Sequence, residues 1–420
     1  MLNKNVIASQ SADWRGNPSL RRGGCLHPPA YSTARSRRER ACPFRFFPVI
    51  ASRCSHWCGN PSLHDFILFT SMNTLTTTLQ QLPAPLLTWY AENRRALPWR
   101  EEISPYRTWI SEIMLQQTRV TAVLPYFARF MAAYPTVRDL AAADDGELMR
   151  LWQGLGYYSR ARNLKRAAQR IVEHFGGTFP ATYQDLLTLP GIGDYTAGAI
   201  LSIAMGQTVP AVDGNVLRVV SRVCAYGGDI TEPKNRKLLR DEIEKILPRG
   251  HAGDFNQAMM DIGATVCLPH GAPLCKTCPF ASFCLAHSAG QETLFPVKAP
   301  KKEKKTEEKT VFLLRRGGEV ALRQRPADGL LAGLWEFPNT PGTLDETEAA
   351  LWLSENHVIP HSWNKKINYT HEFTHILWQI TAYVVEITGS GQGNWVWCSP
   401  KEQQRRAIPS AFQKLVKEIE

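Results

Sequence analysis

At about residue 300 the chain changes its hydrophobic period. Before that point, from about residue 80, apolar side chains recur three and four residues apart, the spacing of helices with one buried face. After it they alternate or run in short β-branched and aromatic stretches, as strands do. The junction, residues 297–309, reads Val-Lys-Ala-Pro-Lys-Lys-Glu-Lys-Lys-Thr-Glu-Glu-Lys. Dense charge around a proline, between two periodic segments, is the composition of a linker. The chain is therefore expected to be multidomain: an all-α domain over 72–296, a charged linker over 297–309 and an α+β domain over 310–420.

Within the first part, Ser104-Pro105 marks a helix start, a capping residue followed by proline in the first turn. Tyr106, Trp109, Ile110, Ile113 and Met114 then form one apolar arc. Further helices fit 120–133, 146–153, 160–174, 182–189, 195–206, 214–225, 234–246 and 254–265. In the second part Thr310–Leu314, Glu319–Gln324, His375–Glu386 and Asn394–Trp397 read as strands, and 345–355 reads as a helix.

Residues 1–71 fit neither pattern. They hold Arg-rich stretches such as Ser36-Arg37-Arg38-Glu39-Arg40 and contribute +7 of the net charge of +11, ten Lys and Arg against three Asp and Glu. They are expected to be a disordered basic extension, or sequence upstream of a true start at Met72. A targeting arm and a nucleic-acid-binding tail are the alternatives. The rest of the chain contributes only +4, which permits a polyanionic partner without demanding one. No apolar run approaches ~18 residues, so no membrane partner is expected. Nor is a secretory signal expected, because the N-terminal stretch lacks a continuous apolar segment.

Without a secretory context, clustered cysteines read as metal or iron–sulfur ligands rather than disulfides. Of ten cysteines, Cys267, Cys275, Cys278 and Cys284 crowd into one short stretch. Four thiolates so close would leave a large buried negative charge without a metal. Spacing alone does not separate zinc from iron–sulfur.

Three other segments carry chemistry. Leu189-Pro190-Gly191-Ile192-Gly193 lies between helical segments. Gly191 and Gly193 allow close backbone approach, and successive amides at a helix start form an anion-binding concavity that suits a phosphate. The extended pattern Leu-Pro-Gly-Ile-Gly-x-x-Thr-Ala matches the helix-hairpin-helix turn of DNA repair proteins. Asp213, in Val212-Asp213-Gly214-Asn215, precedes an apolar-periodic helix. It is placed to cap that helix, or to face a developing cation. Glu112 falls about 60° outside the apolar arc of its helix at ~100° per residue, on the rim of the buried face. Apolar walls there would raise its pKa and let it donate a proton near neutrality. Gln116-Gln117-Thr118 follows, a dense set of neutral hydrogen-bonding side chains suited to base edges.

Together these segments resemble the endonuclease III superfamily of DNA glycosylases, and within it the MutY type. The resemblance runs from about 80 to 290 and more weakly to the C-terminus. It rests on Leu97-Pro98-Trp99, Ser111 through Thr118, Gly154-Leu155-Gly156-Tyr157-Tyr158-Ser159-Arg160-Ala161-Arg162-Asn163 and Phe255 through Asp261. It implies two helical subdomains, one a six-helix barrel carrying the hairpin over about 182–206, with the cysteine loop in the other. The implied partner is duplex DNA with adenine opposite 8-oxoguanine or guanine, bound by a monomer in the bacterial cytoplasm and nucleoid, or in a eukaryotic organelle or nucleus. By position, Glu112 matches the general acid and Asp213 the carboxylate facing the oxocarbenium-like sugar, directly or through a covalent intermediate. Asn215 matches a supporting polar residue near the sugar. Gln117 and Tyr157 match residues that wedge into the duplex, and the four cysteines match ligands of a [4Fe–4S] cluster. Tyr195 stands where strand-cleaving relatives carry Lys, which implies a monofunctional enzyme. The first cysteine gap, Leu268 to Leu274, is one residue longer than is usual in the family.

The C-terminal part resembles a Nudix-like module through Arg323-Gln324-Arg325-Pro326 and Gly333 through Pro338. It lacks the Arg-Glu-x-x-Glu-Glu run of a working Nudix helix, so pyrophosphatase chemistry is not expected. Phe373-Thr374-His375 matches the loop that reads 8-oxoguanine, with Thr where Ser is frequent.

Overall fold

Leu75, Leu79, Leu82 and Leu86 recur at helical spacing and are buried along two consecutive helices, Met72–Leu79 and Pro83–Asn93. Their packing partners lie far along the chain. They cluster with Val216, Val220 and Val223 on the helix Gly214–Val223, with Phe255, Met259 and Ile262 on Ala252–Thr265, and with Phe280 and Phe295 beyond the cysteine loop. The intervening chain builds a second core from Trp109, Ile113, Phe127, Trp152, Ile171 and Leu201. The helical region is thus two subdomains, one made from its two ends and one from its middle, as the resemblance implies.

The computed structural model describes residues 71–300, 303–389, 391 and 393–419. The extension read over 1–71 lies outside these residues except for Ser71, whose hydroxyl accepts from Thr74 N at 3.2 Å and caps the first helix. Helix Val120–Ala133 falls where the periodicity puts it. The segment expected as one helix over 195–206 is α-helical only over Asp194–Ala199 and continues as a π-helix over Ile200–Ala204.

The C-terminal part is a mixed seven-stranded sheet: β1 (Lys305–Arg316), β2 (Glu319–Gln324), β3 (Trp335–Glu336), β4 (Asn339–Pro341), β5 (Ile359–Glu372), β6 (Ile376–Thr388) and β7 (Val396–Cys398). The main order is β3-β2-β1-β6-β5, with β1 and β6 parallel and β5 antiparallel to β6. The period of two assigns the two faces. Val311 and Leu313 pack with the C-terminal segment around Phe412, whereas Phe312 and Leu314 pack under the helix Glu346–Glu355.

Two boundaries differ from the sequence reading. Strand β1 takes up Lys305–Lys309, so the charged stretch is linker only in its first half. Charge there is compatible with a strand because this end of β1 is mostly exposed, with Lys309 Nζ 4.8 Å above the Trp378 ring and Glu307 accepting from Trp378 Nε1 at 3.1 Å. Strand β5 has no counterpart in the reading. Its sequence, Ile-Pro-His-Ser-Trp-Asn-Lys-Lys-Ile-Asn-Tyr-Thr-His-Glu, buries only Ile367, and its ladder to β6 holds it at the sheet edge.

The sheet is seated on the helical part. Leu334 and Ala407 enter the core of the middle subdomain. Arg162 Nη1 donates to Ala332 O at 2.6 Å and Gln153 Nε2 to Ile408 O at 3.0 Å.

Candidate active site

Glu112 begins the last turn of the helix Pro105–Leu115, on the middle subdomain, and only 6% of it is exposed. It is more buried than its place outside the apolar arc suggests, because the segment after the hairpin turn closes over it. Tyr195 donates its hydroxyl to Glu112 Oε2, and Tyr195 Oη lies 3.3 Å from Met260 Sδ. Burial pushes the Glu112 carboxyl up to about 7; the Asp213 charge adds to that, while the Tyr195 bond and Arg100 oppose it. Tyr195 itself is held well above its ordinary value by burial and by the two carboxyls.

Asp213 belongs to the other subdomain. It caps the helix Gly214–Val223, its Oδ1 accepting from Asn215 N at 2.9 Å and Val216 N at 2.8 Å. Oδ2 accepts from Asn215 Nδ2 at 2.6 Å. Burial raises its pKa, and these N–H bonds oppose the rise. Asn215 Oδ1 in turn accepts from Arg218 Nη2 at 2.9 Å, whose Nε donates to Cys267 O at 2.9 Å. A Cβ on Gly263 would come within 2.6 Å of Asn215 Cβ, so glycine there admits the capped helix end. Glu112, Tyr195, Asp213 and Asn215 thus line one cleft of about 1000 Å³ between the two helical subdomains.

Other residues lining that cleft were not singled out by sequence. Arg95 Nε donates to Asp261 Oδ1 at 2.8 Å, and Arg100 donates through Nη1 to Oδ2 at 2.7 Å and through Nη2 to Oδ1 at 3.0 Å. Burial alone would raise the Asp261 pKa, but the two guanidinium groups bring it below the ordinary carboxylate value. Two cations on one anion leave a positive surplus at the wall of the cleft, a suitable wall for DNA. Gln257 lines the same cleft. The arginines and Asp261 come from opposite ends of the helical region, so no local spacing reveals them. Gln257 stands in a segment whose motif was legible but whose direction was not.

Beside the cleft, Gln117 and Tyr157 are among the five described non-glycine residues with positive φ, at 59° and 48°. Both side chains are exposed, and both border one pocket of about 270 Å³ with Asn163, Pro190 and Gly191. Sparsely populated backbone conformations cost about 1–3 kcal/mol each and concentrate at functional sites. Gln116 is half-buried at the end of the Glu112 helix.

In the hairpin turn Gly191 and Gly193 are exposed, Gly191 at φ 80°, where a Cβ would also come within 2.9 Å of Asn163 Cβ. Leu189, read as a DNA contact, is only 2% exposed and packs in the core, so its side chain is structural. Phe373-Thr374-His375, expected to read 8-oxoguanine, is the turn between β5 and β6. Thr374 Oγ1 lies 2.9 Å from Tyr157 Oη, so the turn meets the Gly154–Asn163 stretch. Phe373 instead faces inward, 4.8 Å from the Trp378 ring centroid, and anchors the turn. His375 is exposed, and its carbonyl accepts from Lys305 N at 3.1 Å.

Cys267, Cys275, Cys278 and Cys284 converge on one cavity, with Arg222, His287 and Glu292 on its wall. Burial pushes the Cys278 thiol up to about 12 and Cys284 to about 11. Arg222 is buried, and its Nη1 approaches Cys267 Sγ at 3.3 Å. Ligand atoms of Cys275, His287 and Glu292 also lie within 4.8 Å of one another. Pro269 and His270, in the lengthened first gap, line the Glu112 cleft, so this loop joins the two sites.

Known proteins agree with this architecture. Residues 110–246 match the HhH-GPD superfamily base excision DNA repair protein model, and residues 310–418 match the NUDIX domain model. The adenine DNA glycosylase of Rattus norvegicus is 35% identical over 80% of this chain and 77% of its own length. That of Buchnera aphidicola is 33% identical over 79% of this chain and 95% of its own. A solved thermostable thymine-DNA glycosylase is 29% identical over 52% of this chain and 98% of its own, at a TM-score of 0.47. The matches define the class as a base-excision DNA repair glycosylase, a hydrolase that acts on DNA. Within that class, the chain belongs to the adenine DNA glycosylase family. Among the described residues no helix is long and apolar enough to cross a membrane.

Proposed function

We propose that the protein removes adenine mispaired with 8-oxoguanine or guanine and leaves an uncut abasic strand. The observation that carries this reading is the pairing of Glu112 and Asp213. One carboxyl is buried, with its pKa pushed up to about 7; the other, at a helix start, is held by three N–H bonds. Adenine must leave the stack to reach them. Tyr195 occupies Glu112 Oε2, so Oε1 delivers the proton to adenine N7. The C1′–N9 bond breaks with its electron pair going to the base, and adenine leaves neutral. Asp213, ionised, faces the cation that develops at C1′. Two carboxyls across a glycosidic bond are also the solution of sugar hydrolases. Water then adds its oxygen to C1′ and its proton passes to the Glu112 carboxylate, which restores the acid. Tyr195 offers no amine for a Schiff base, which supports a monofunctional reaction.

Adenine is a normal base, so its partner must be read. The Thr374 hydroxyl at Tyr157 is suited to reading the edge of 8-oxoguanine. Because Phe373 is a packing residue, Thr374→Val is the cleaner test. It is expected to lower the single-turnover preference for A:8-oxoguanine over A:G about tenfold, the weight of one lost hydrogen bond. An unchanged preference would place opposite-base reading in the helical part.

The four-cysteine cavity fits a [4Fe–4S] cluster. Four thiols face it, as many as such a cluster takes, and Arg222 already points at one sulfur from a buried position where a thiolate would supply its counter-charge. Bound there, the cluster would cross-link the loop whose His270 lines the cleft. Elemental analysis of protein from iron-replete cells is expected to give about four irons per chain with broad visible absorption. One zinc and no iron would overturn the cluster assignment, since four cysteines hold zinc equally well.

A further inference from the structure

Gln117 and Tyr157 lie on separate segments, one at the end of the Glu112 helix and one in the Gly154–Asn163 stretch. Both nevertheless hold the left-handed conformation that places their side chains beside the same pocket. One buried side chain connects them. Arg160 is 8% exposed. Its Nη1 donates to Ile113 O at 2.6 Å, Met114 O at 3.0 Å and Gln116 O at 2.7 Å. Its Nη2 donates to Leu155 O at 3.1 Å and Gly156 O at 3.2 Å. Arg160 Cζ also lies 5.5 Å from the Tyr157 ring centroid. Among the described residues it makes no ion pair with a carboxylate.

The choice of carbonyls is informative. Those of Ile113 and Met114 are end groups of the Glu112 helix, which lack intrahelical donors and attract a cation. Those of Gln116 and Gly156 belong to the peptide planes immediately before Gln117 and Tyr157. A peptide plane held by its carbonyl fixes the axis about which the next residue's φ is measured. One guanidinium therefore sets both strained dihedrals against a common reference. A planar fork with donors on two nitrogens can do this; an ammonium, with its donors on one atom, cannot span the set.

We propose that Arg160 is the positioning residue for duplex opening: it holds Gln117 and Tyr157 in register, so that both enter the base stack together. This rests on the reading of those two residues as wedges. It also ties the wedges to the helix that carries Glu112.

The test uses a duplex with non-cleavable 2′-fluoro-2′-deoxyadenosine opposite 8-oxoguanine and 2-aminopurine as its neighbour. The fluorescence rise at saturating protein reports opening, at a temperature where circular dichroism shows each variant folded. Gln117→Ala and Tyr157→Ala should each lose most of the rise. Arg160→Lys, with wedges, charge and stem intact, should lower the opening equilibrium about tenfold, the weight of one charge-assisted hydrogen bond. Arg160→Gln, which keeps two N–H donors without charge, gives the same reading should the lysine variant not fold. If the wedge variants lose opening while the Arg160 variants keep it, Arg160 serves stability alone and the inference is overturned. If the wedge variants open DNA as the unmodified protein does, the wedge reading falls and takes this inference with it.

Discussion

Glu112→Gln should bind A:8-oxoguanine duplex as the unmodified protein does and release adenine about 10²- to 10⁴-fold more slowly, the usual contribution of a positioned general acid. The amide keeps the shape and can still accept from Tyr195, but it has no acidic proton for N7. In the unmodified protein, release should fall as pH rises through about 7, where the buried carboxyl ionises. The same group should leave a mark on stability. Its folded pKa lies above its ordinary value of 4.5, so its burial costs nothing below about pH 4.5 and costs progressively more up to about 7. A gap of this size corresponds to about 3 kcal/mol. The Gln variant is exempt, so its urea midpoint relative to the unmodified protein should rise between pH 5 and pH 8. Rapid adenine release by the variant would remove Glu112 from the acid role. An equal midpoint difference at both pH values would show that the carboxyl is not held neutral by burial.

Asp213→Asn is the second large effect expected. Asn keeps the cap through its Oδ1 but loses the bond from Asn215 Nδ2, so melting should fall only modestly. The charge is lost, however, and with it the stabilisation of the developing sugar cation. Removing one preorganised electrostatic partner of a transition state costs about 10²- to 10³-fold. Because Asp213 also helps raise the Glu112 pKa, the residual activity should fall away at lower pH than in the unmodified protein. A variant that melts normally and keeps its rate would reduce Asp213 to a cap.

The contrast between these two residues and others shows what sequence carries. Asp213 and Glu112 were legible because each sits in a continuous motif whose backbone role is local: a cap in one case, a helix face in the other. The period change near residue 300 separated the helical part from the sheet for the same reason. Long-range partners were not legible. Nothing near Arg95 or Arg100 announces Asp261, and nothing in Ser159-Arg160-Ala161 announces its five carbonyls, three of them at the end of another helix. Strand β5 escaped because an edge strand with one buried residue has no apolar alternation to read. Leu189 and Phe373, expected to touch DNA, turn their side chains inward. A motif marks where the chain turns, while packing decides which of its side chains face the core.

The central claim, hydrolysis of adenine from its mispair without strand cleavage, is tested most directly by identifying the base released under single turnover from A:8-oxoguanine, A:G and T:G duplexes. Free adenine is expected from the first two, faster from A:8-oxoguanine, with no thymine from the third and with strands that break only after alkali. Release of thymine, or strand scission by the protein itself, would contradict the assignment.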